Sequence, residues 1–165
     1  MLIKKVSNDE QLASVVTLAD TIWHEHFTAI IGTAQVDYML KKFQSSQSIA
    51  QQIQHGFSYF LMTENKTPIG YAALNIKDRE LFLSKFYILL SERNKGFGRQ
   101  FITFIEQLAC EQGVEKITLT VNKNNLNTIK AYQNMGFSNI GSVVQDIGHN
   151  FVMDDYKMEK KIMAI

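Results

Sequence analysis

Cysteine and proline are each used once in 165 residues, at Cys110 and Pro68. A single thiol excludes an internal disulfide, and without a Cys cluster or an HExxH helix the sequence offers no metal set. His24-Glu25-His26 does not change this, because residues two apart on a helix point in different directions. No charge surplus exists either: 17 Lys and Arg against 16 Asp and Glu leave a formal net charge of +1. That balance gives no general attraction to nucleic acid or to a membrane, so any affinity for anions has to be local. No apolar run reaches the ~18 residues that suit a spanning helix, and no basic-then-apolar leader opens the chain, so we expect a cytoplasmic protein. Internal repeats, low-complexity tracts and linkers are missing as well. The length suits one domain, residues 1–165, around a single core.

What is present is periodicity. Leu2 to Val6 reads as a short strand, and Ser7-Asn8-Asp9-Glu10 caps a helix carrying Leu12, Val15, Val16, Ala19, Ile22 and Trp23 at helical spacing. Gly32 interrupts it, after which helices over about Gln35 to Phe43 and Ser45 to His55 follow. Phe57 to Thr63 and Ile69 to Ile76 read as antiparallel strands joined by a turn through Glu64 to Pro68, with the proline at the corner. Lys77 to Glu80 is a second polar turn. Leu81 to Leu90 is an apolar and aromatic strand. Phe97, Phe101, Phe104, Ile105 and Leu108 mark a helix to about Gln112, with Gly113 just past its end. Lys116 to Val121 alternates as a strand, and Asn124 or Asn125 caps a short helix stopped at Gly136. Strands over Ser138 to Gln145 and Phe151 to Ile162, turning near Gly148, close the chain. Strand, helix, strand in succession implies a parallel crossover and the short turns imply antiparallel neighbours, so the fold is α/β with a mixed sheet.

The central feature is the passage from strand to helix through Ser91-Glu92-Arg93-Asn94-Lys95-Gly96-Phe97-Gly98. The first N–H groups of a helix lack intrahelical partners and sit at the positive end of its dipole, so a phosphate fits there. This is no Walker A loop, since no Gly-Lys-Ser/Thr is in place, and no dinucleotide fingerprint, since position 101 is Phe. By itself the turn could equally be a tight connection made with glycine.

Arg93-Asn94-Lys95-Gly96-Phe97-Gly98 resembles the Arg/Gln-x-x-Gly-x-Gly/Ala signature that binds the pyrophosphate of acetyl-CoA in the GNAT superfamily of N-acetyltransferases. Asn125 to Phe137, NLNTIKAYQNMGF, resembles that superfamily's Asn-x-x-Ala-x-x-x-Tyr-x-x-x-Gly-Phe block, with Thr128 in place of the common alanine. The resemblance is close from about Ile69 to Phe137. It implies a mixed, mostly antiparallel sheet of six or seven strands, flanked by helices and splayed between the fourth and fifth. It also implies acetyl-CoA as co-substrate without a metal. Phe86, Tyr87 and Ile88 would offer backbone groups to pantetheine, Arg93, Asn94, Lys95, Gly96, Phe97, Gly98 and Arg99 would cradle the pyrophosphate, and Asn125 would also contact the cofactor. Tyr132 takes the family role of proton donor to the departing CoA thiolate.

The general base is not marked. Relatives that use a Glu on the fourth strand have it where this chain has Phe82, which leaves Glu80, Glu25, His26, His149, Asp154 and Asp155 as candidates. Cys110 has no neighbouring histidine in sequence, and direct transfer needs no nucleophile. Trp23, His26, Phe27 and Tyr38, with Asp155, are the candidates for an aromatic, partly acidic acceptor site suited to a small organic cation. The Trp-x-x-x-Phe run and the Asp-Asp-Tyr ending resemble bacterial polyamine (spermine/spermidine) acetyltransferases. A protein N-terminus or lysine side chain is the alternative acceptor, and a non-catalytic acyl-CoA-binding or nucleotide-binding module the alternative class. Expected partners are an amine substrate, with neither nucleic acid nor membrane, and a homodimer is an open alternative to a monomer.

Overall fold

A computed structural model describes residues 1–163, so the last two residues of the expected 1–165 domain lie outside the described ones. The elements are β1 (Leu2–Lys5), α1 (Asp9–Ile31), α2 (Thr33–Phe43), α3 (Ser46–Gln54), β2 (Ser58–Glu64), β3 (Thr67–Lys77), β4 (Glu80–Ile88), α4 (Phe97–Glu111), β5 (Lys116–Asn122), α5 (Leu126–Asn134), β6 (Ser138–Gly148) and β7 (Phe151–Lys161). The Asn8 side chain accepts from the Gln11 N–H at 2.9 Å and starts α1. That helix then buries Val15, Leu18, Ala19, Ile22 and Trp23, the stripe its 3.6-residue period dictates. Gly32, at φ +82°, ends α1 and lets α2 begin one residue later. No helix among the described residues is long and apolar enough to cross a membrane.

Seven strands pair in the order β1-β2-β3-β4-β5-β7-β6 to make a mixed, mostly antiparallel sheet flanked by helices. β4 pairs with β5 in parallel from Glu80↔Lys116 to Phe82↔Thr118, the first three of the nine residues in β4. Burial along β4 falls on Leu81, Leu83 and Lys85 and then on Ile88, so the two-residue alternation slips by one near Phe86 and Tyr87. An extra residue in a strand has that effect.

Three hairpin turns carry two successive non-glycine residues in the left-handed region: Asn65 and Lys66, Asp78 and Arg79, His149 and Asn150. Their twist matches that of paired strands, and Asn or Asp tolerates the conformation best. One corner therefore differs from expectation. The β2–β3 corner is at Asn65-Lys66, and Pro68 lies inside β3 opposite Thr63, where the register shifts. The last corner lies where expected, near Gly148, at His149-Asn150. The buried face of α4 is Phe101, Ile102, Ile105 and Ala109, with Phe97, Phe104 and Leu108 only half-buried.

The chain forms two compact units. The first comprises 1–75 and 85–101, and the second 76–84 with the remainder of the chain from Ile102. In the first, the core is built from Val15, Ile22, Val36, Ile49, Tyr59, Met62 and Tyr71. In the second it is built from Leu81, Ile105, Ile117, Leu119 and Met158.

Candidate functional site

In the first unit, β4 ends at Ile88 and a single tight turn, Leu90–Glu92, leads into the glycine loop. Asn94 (φ +62°) and Gly96 (φ +84°) are both left-handed, which is why glycine suits position 96. Gly96 offers its carbonyl to the Gln100 N–H at 3.1 Å and so opens α4. Gly98 is different. An added Cβ would lie 3.7 Å from Ile88 Cδ1 and 3.9 Å from Phe86 Cζ, ordinary contact, so the position suits glycine or alanine.

Arg93 is held by two acceptors. Its Nε–H donates to the Ile88 carbonyl at 3.1 Å, and its Nη1 lies 3.1 Å from Nδ1 of His26. Burial lowers its pKa and Glu25 opposes that, without removing the charge of an arginine. Lys95 pairs with Glu92 at 3.0 Å, whereas neither Arg93 nor Arg99 forms an ion pair among the described residues. The loop thus combines a fixed guanidinium, the exposed Arg99 and the start of a 15-residue helix, an arrangement that can hold a phosphate.

Sequence reasoning missed Gly70. A Cβ there would stand 2.6 Å from the Tyr87 carbonyl oxygen and 3.3 Å from Ile88 Cα, so β3 approaches β4 only through glycine. A lone glycine inside a strand pattern is the available signal for such an approach.

Of the residues proposed for the acceptor, Trp23, His26 and Phe27 come together. The Trp23 and Phe27 rings are 4.5 Å apart and those of His26 and Phe27 4.8 Å, and Tyr87 meets Trp23 at 5.7 Å and Phe27 at 5.9 Å. Tyr71 joins through Tyr87 at 5.4 Å. Tyr38, on α2, takes a hydrogen bond from Lys42 at 3.1 Å. The Trp23 indole N–H is buried and meets no acceptor in hydrogen-bond geometry among the described residues, although the Tyr71 hydroxyl is its neighbour. His24 turns to α2, with Nε2 2.9 Å from Asp37, and so does not converge with His26 on a metal. No group of three or more His, Cys, Asp or Glu among the described residues is placed to hold one.

Lys85 is buried on the same strand. It donates to Tyr59 Oη at 2.7 Å and to Gln52 Oε1 at 2.5 Å, and Tyr59 also donates to Gln52 at 2.6 Å. Desolvation lowers the ammonium to about 8.

In the second unit, Tyr132 is buried on α5 with its ring 5.5 Å from Phe137. Burial holds its phenol well above the usual tyrosine range, so it stays protonated and able to donate. Asn125 occupies the N-cap position, but its buried side chain makes no capping hydrogen bond, contrary to the expected cap. Among the acidic candidates, Thr118 donates to Glu80 at 2.6 Å and Lys116 pairs with it, which keeps its pKa low. Asp154 pairs with Lys123. Asp155 is buried. Desolvation raises its carboxyl, opposed by a hydrogen bond from Thr120. His149 lies in the exposed turn between β6 and β7.

Residues 18–137 match the acetyltransferase (GNAT) family, and the chain belongs to it. An uncharacterized N-acetyltransferase of Bacillus subtilis, YobR, is 23% identical over 120 residues, which are 73% of this chain and 47% of that protein. The chain thus spans about half the length of that curated relative. Among solved structures, the PaiA N-acetyltransferase of Thermoplasma acidophilum in complex with coenzyme A superposes with a TM-score of 0.80 at 20% identity, covering 98% of this chain and 99% of that one. The ribosomal-protein-S18-alanine N-acetyltransferase of Escherichia coli does so with 0.74 at 16% identity, covering 99% and 95%. At these identities the likeness is one of fold.

Proposed function

We propose that the chain is a single acetyltransferase domain that moves the acetyl group of acetyl-CoA directly to a primary amine. The observation that carries this reading is the Arg93 guanidinium, anchored on Ile88 and His26 beside the left-handed Gly96 turn that opens α4. Arg93 to Arg99 receive the pyrophosphate, and the backbone of Phe86 to Ile88 receives pantetheine. The amine nitrogen bonds to the thioester carbonyl carbon, the carbon–sulfur bond breaks, and the Tyr132 hydroxyl donates to the departing thiolate. Asn125 assists in holding the coenzyme.

For the proton lost by the amine we assign Asp155. Glu80 and Asp154 are each tied to a lysine and Nδ1 of His26 is engaged by Arg93, whereas Asp155 combines burial with a raised carboxyl. The acceptor is a small organic cation of the polyamine class, received by the rings of Trp23, Phe27 and Tyr87. CoA thiol release with spermidine, spermine, an N-terminal alanine peptide and a lysine peptide tests this. Preference for the polyamines supports the reading, and turnover of the peptides alone replaces the acceptor. Binding of acetyl-CoA without turnover of any amine favours a non-catalytic acyl-CoA module.

A further inference from the structure

We infer that His26 is a positioning residue for coenzyme binding, holding Arg93 in its phosphate-facing pose as long as the imidazole is neutral. This rests on the reading of Arg93 to Gly98 as the pyrophosphate cradle. Arginine is only ever a donor, so the nitrogen 3.1 Å from Arg93 Nη1 must be an acceptor, and Nδ1 of His26 therefore carries a lone pair. With Nε–H given to the Ile88 carbonyl, two of the five guanidinium N–H groups are fixed on protein, and three remain for an anion. An arginine oriented in advance loses less side-chain entropy when a phosphate arrives.

The same contact ties the coenzyme loop to α1, 67 residues earlier. His26 stacks edge-on against Phe27, which packs on Trp23 and Tyr87. Protonation of His26 would remove the acceptor and set a cation against Arg93. Glu25, on the same helix, acts on Arg93. Glu92, beyond β4, is held by Lys95. Neither carboxylate replaces the lost acceptor in the contacts of Arg93.

Calorimetric titration of acetyl-CoA into the wild-type chain, His26→Asn and His26→Ala, at pH 8 and pH 5.5, tests this. Asn presents an oxygen near the Nδ1 position and stays neutral. At pH 8 the expected result is about tenfold weaker binding for His26→Ala and recovery of most of that loss in His26→Asn. Between pH 8 and 5.5 the wild type loses markedly more affinity than His26→Asn, which isolates His26 from the titrating phosphates of the coenzyme. Equal affinities for all three proteins at pH 8, or equal pH dependence for wild type and His26→Asn, overturns the inference and leaves the cradle intact. A wild-type chain that binds no acetyl-CoA overturns the cradle and this inference together. Should His26→Ala fail to fold, the comparison of wild type with His26→Asn across pH decides alone.

Discussion

Lys85 Nζ donates to the Tyr59 hydroxyl at 2.7 Å, inside the first unit and with no ion-pair partner among the described residues. Its acceptors, Tyr59 and Gln52, are neutral, so the ammonium is desolvated without a compensating charge, which is why its pKa falls from 10.5 to about 8. Below about 8 both folded and unfolded chains hold this proton and the burial cost is fully present. Between about 8 and 10.5 the unfolded chain binds more protons, so stability rises with pH in that window. The separation corresponds to about 3 kcal/mol. Urea unfolding of wild type and Lys85→Met from pH 7 to 10 should show the extra rise only in wild type, with the variant as stable or more stable at pH 7. Parallel curves would refute the buried-ammonium account.

Tyr132 should separate chemistry from binding. Tyr132→Phe keeps the ring against Phe137 and removes the proton donor, so kcat is expected to fall roughly 100-fold or more while the acetyl-CoA dissociation constant stays within about threefold. Steady-state thiol release and calorimetry together read this out. An unchanged kcat would remove Tyr132 from the mechanism.

The three glycines near the loop make distinct demands. Gly98→Ala should fold and bind coenzyme like wild type, because its Cβ meets only ordinary contacts. Gly96→Ala should cost about 1 kcal/mol through its left-handed φ. Gly70→Ala should cost the most, roughly 2 kcal/mol or more, because the Tyr87 carbonyl stands in the way. Thermal unfolding of the three variants gives the order, and a Gly70→Ala protein as stable as Gly98→Ala contradicts the close approach.

If Asp155 accepts the proton, kcat/KM falls as it protonates on acidification, and its raised carboxyl places that limb above the ordinary aspartate range. Asp155→Asn should remove the limb and most of the activity, and Asp154→Asn should change little because Lys123 already neutralises that side chain. An acidic limb that persists in Asp155→Asn assigns the base elsewhere.

Much of this was legible in the sequence because strand and helix periods are local properties. Leu81 to Leu90 and Phe97 to Gln112 announce β4 and α4 by their own patterns, and the two sequence blocks carry the family. The β2–β3 corner was misplaced because proline is the louder turn signal, whereas Asn65 and Lys66 supply the left-handed pair. Other features depend on partners distant in sequence. Lys85 reads as one polar residue in an apolar strand, and its burial is set by Tyr59 and Gln52, 26 and 33 residues away. The hold of His26 on Arg93 and the need for glycine at position 70 are equally invisible without coordinates. The base could be narrowed only once ion pairs showed which carboxylates are already engaged.

The central claim is that Arg93 to Gly98 cradle the coenzyme pyrophosphate, and calorimetry of acetyl-CoA and ATP with wild type and Gly96→Asp tests it most directly. The account predicts saturable acetyl-CoA binding to wild type, little or none for ATP, and at least about tenfold weaker acetyl-CoA binding to a Gly96→Asp protein that remains folded, since the new carboxylate faces the phosphates. Undiminished acetyl-CoA affinity in Gly96→Asp, or binding of ATP in place of acetyl-CoA by the wild type, would contradict it.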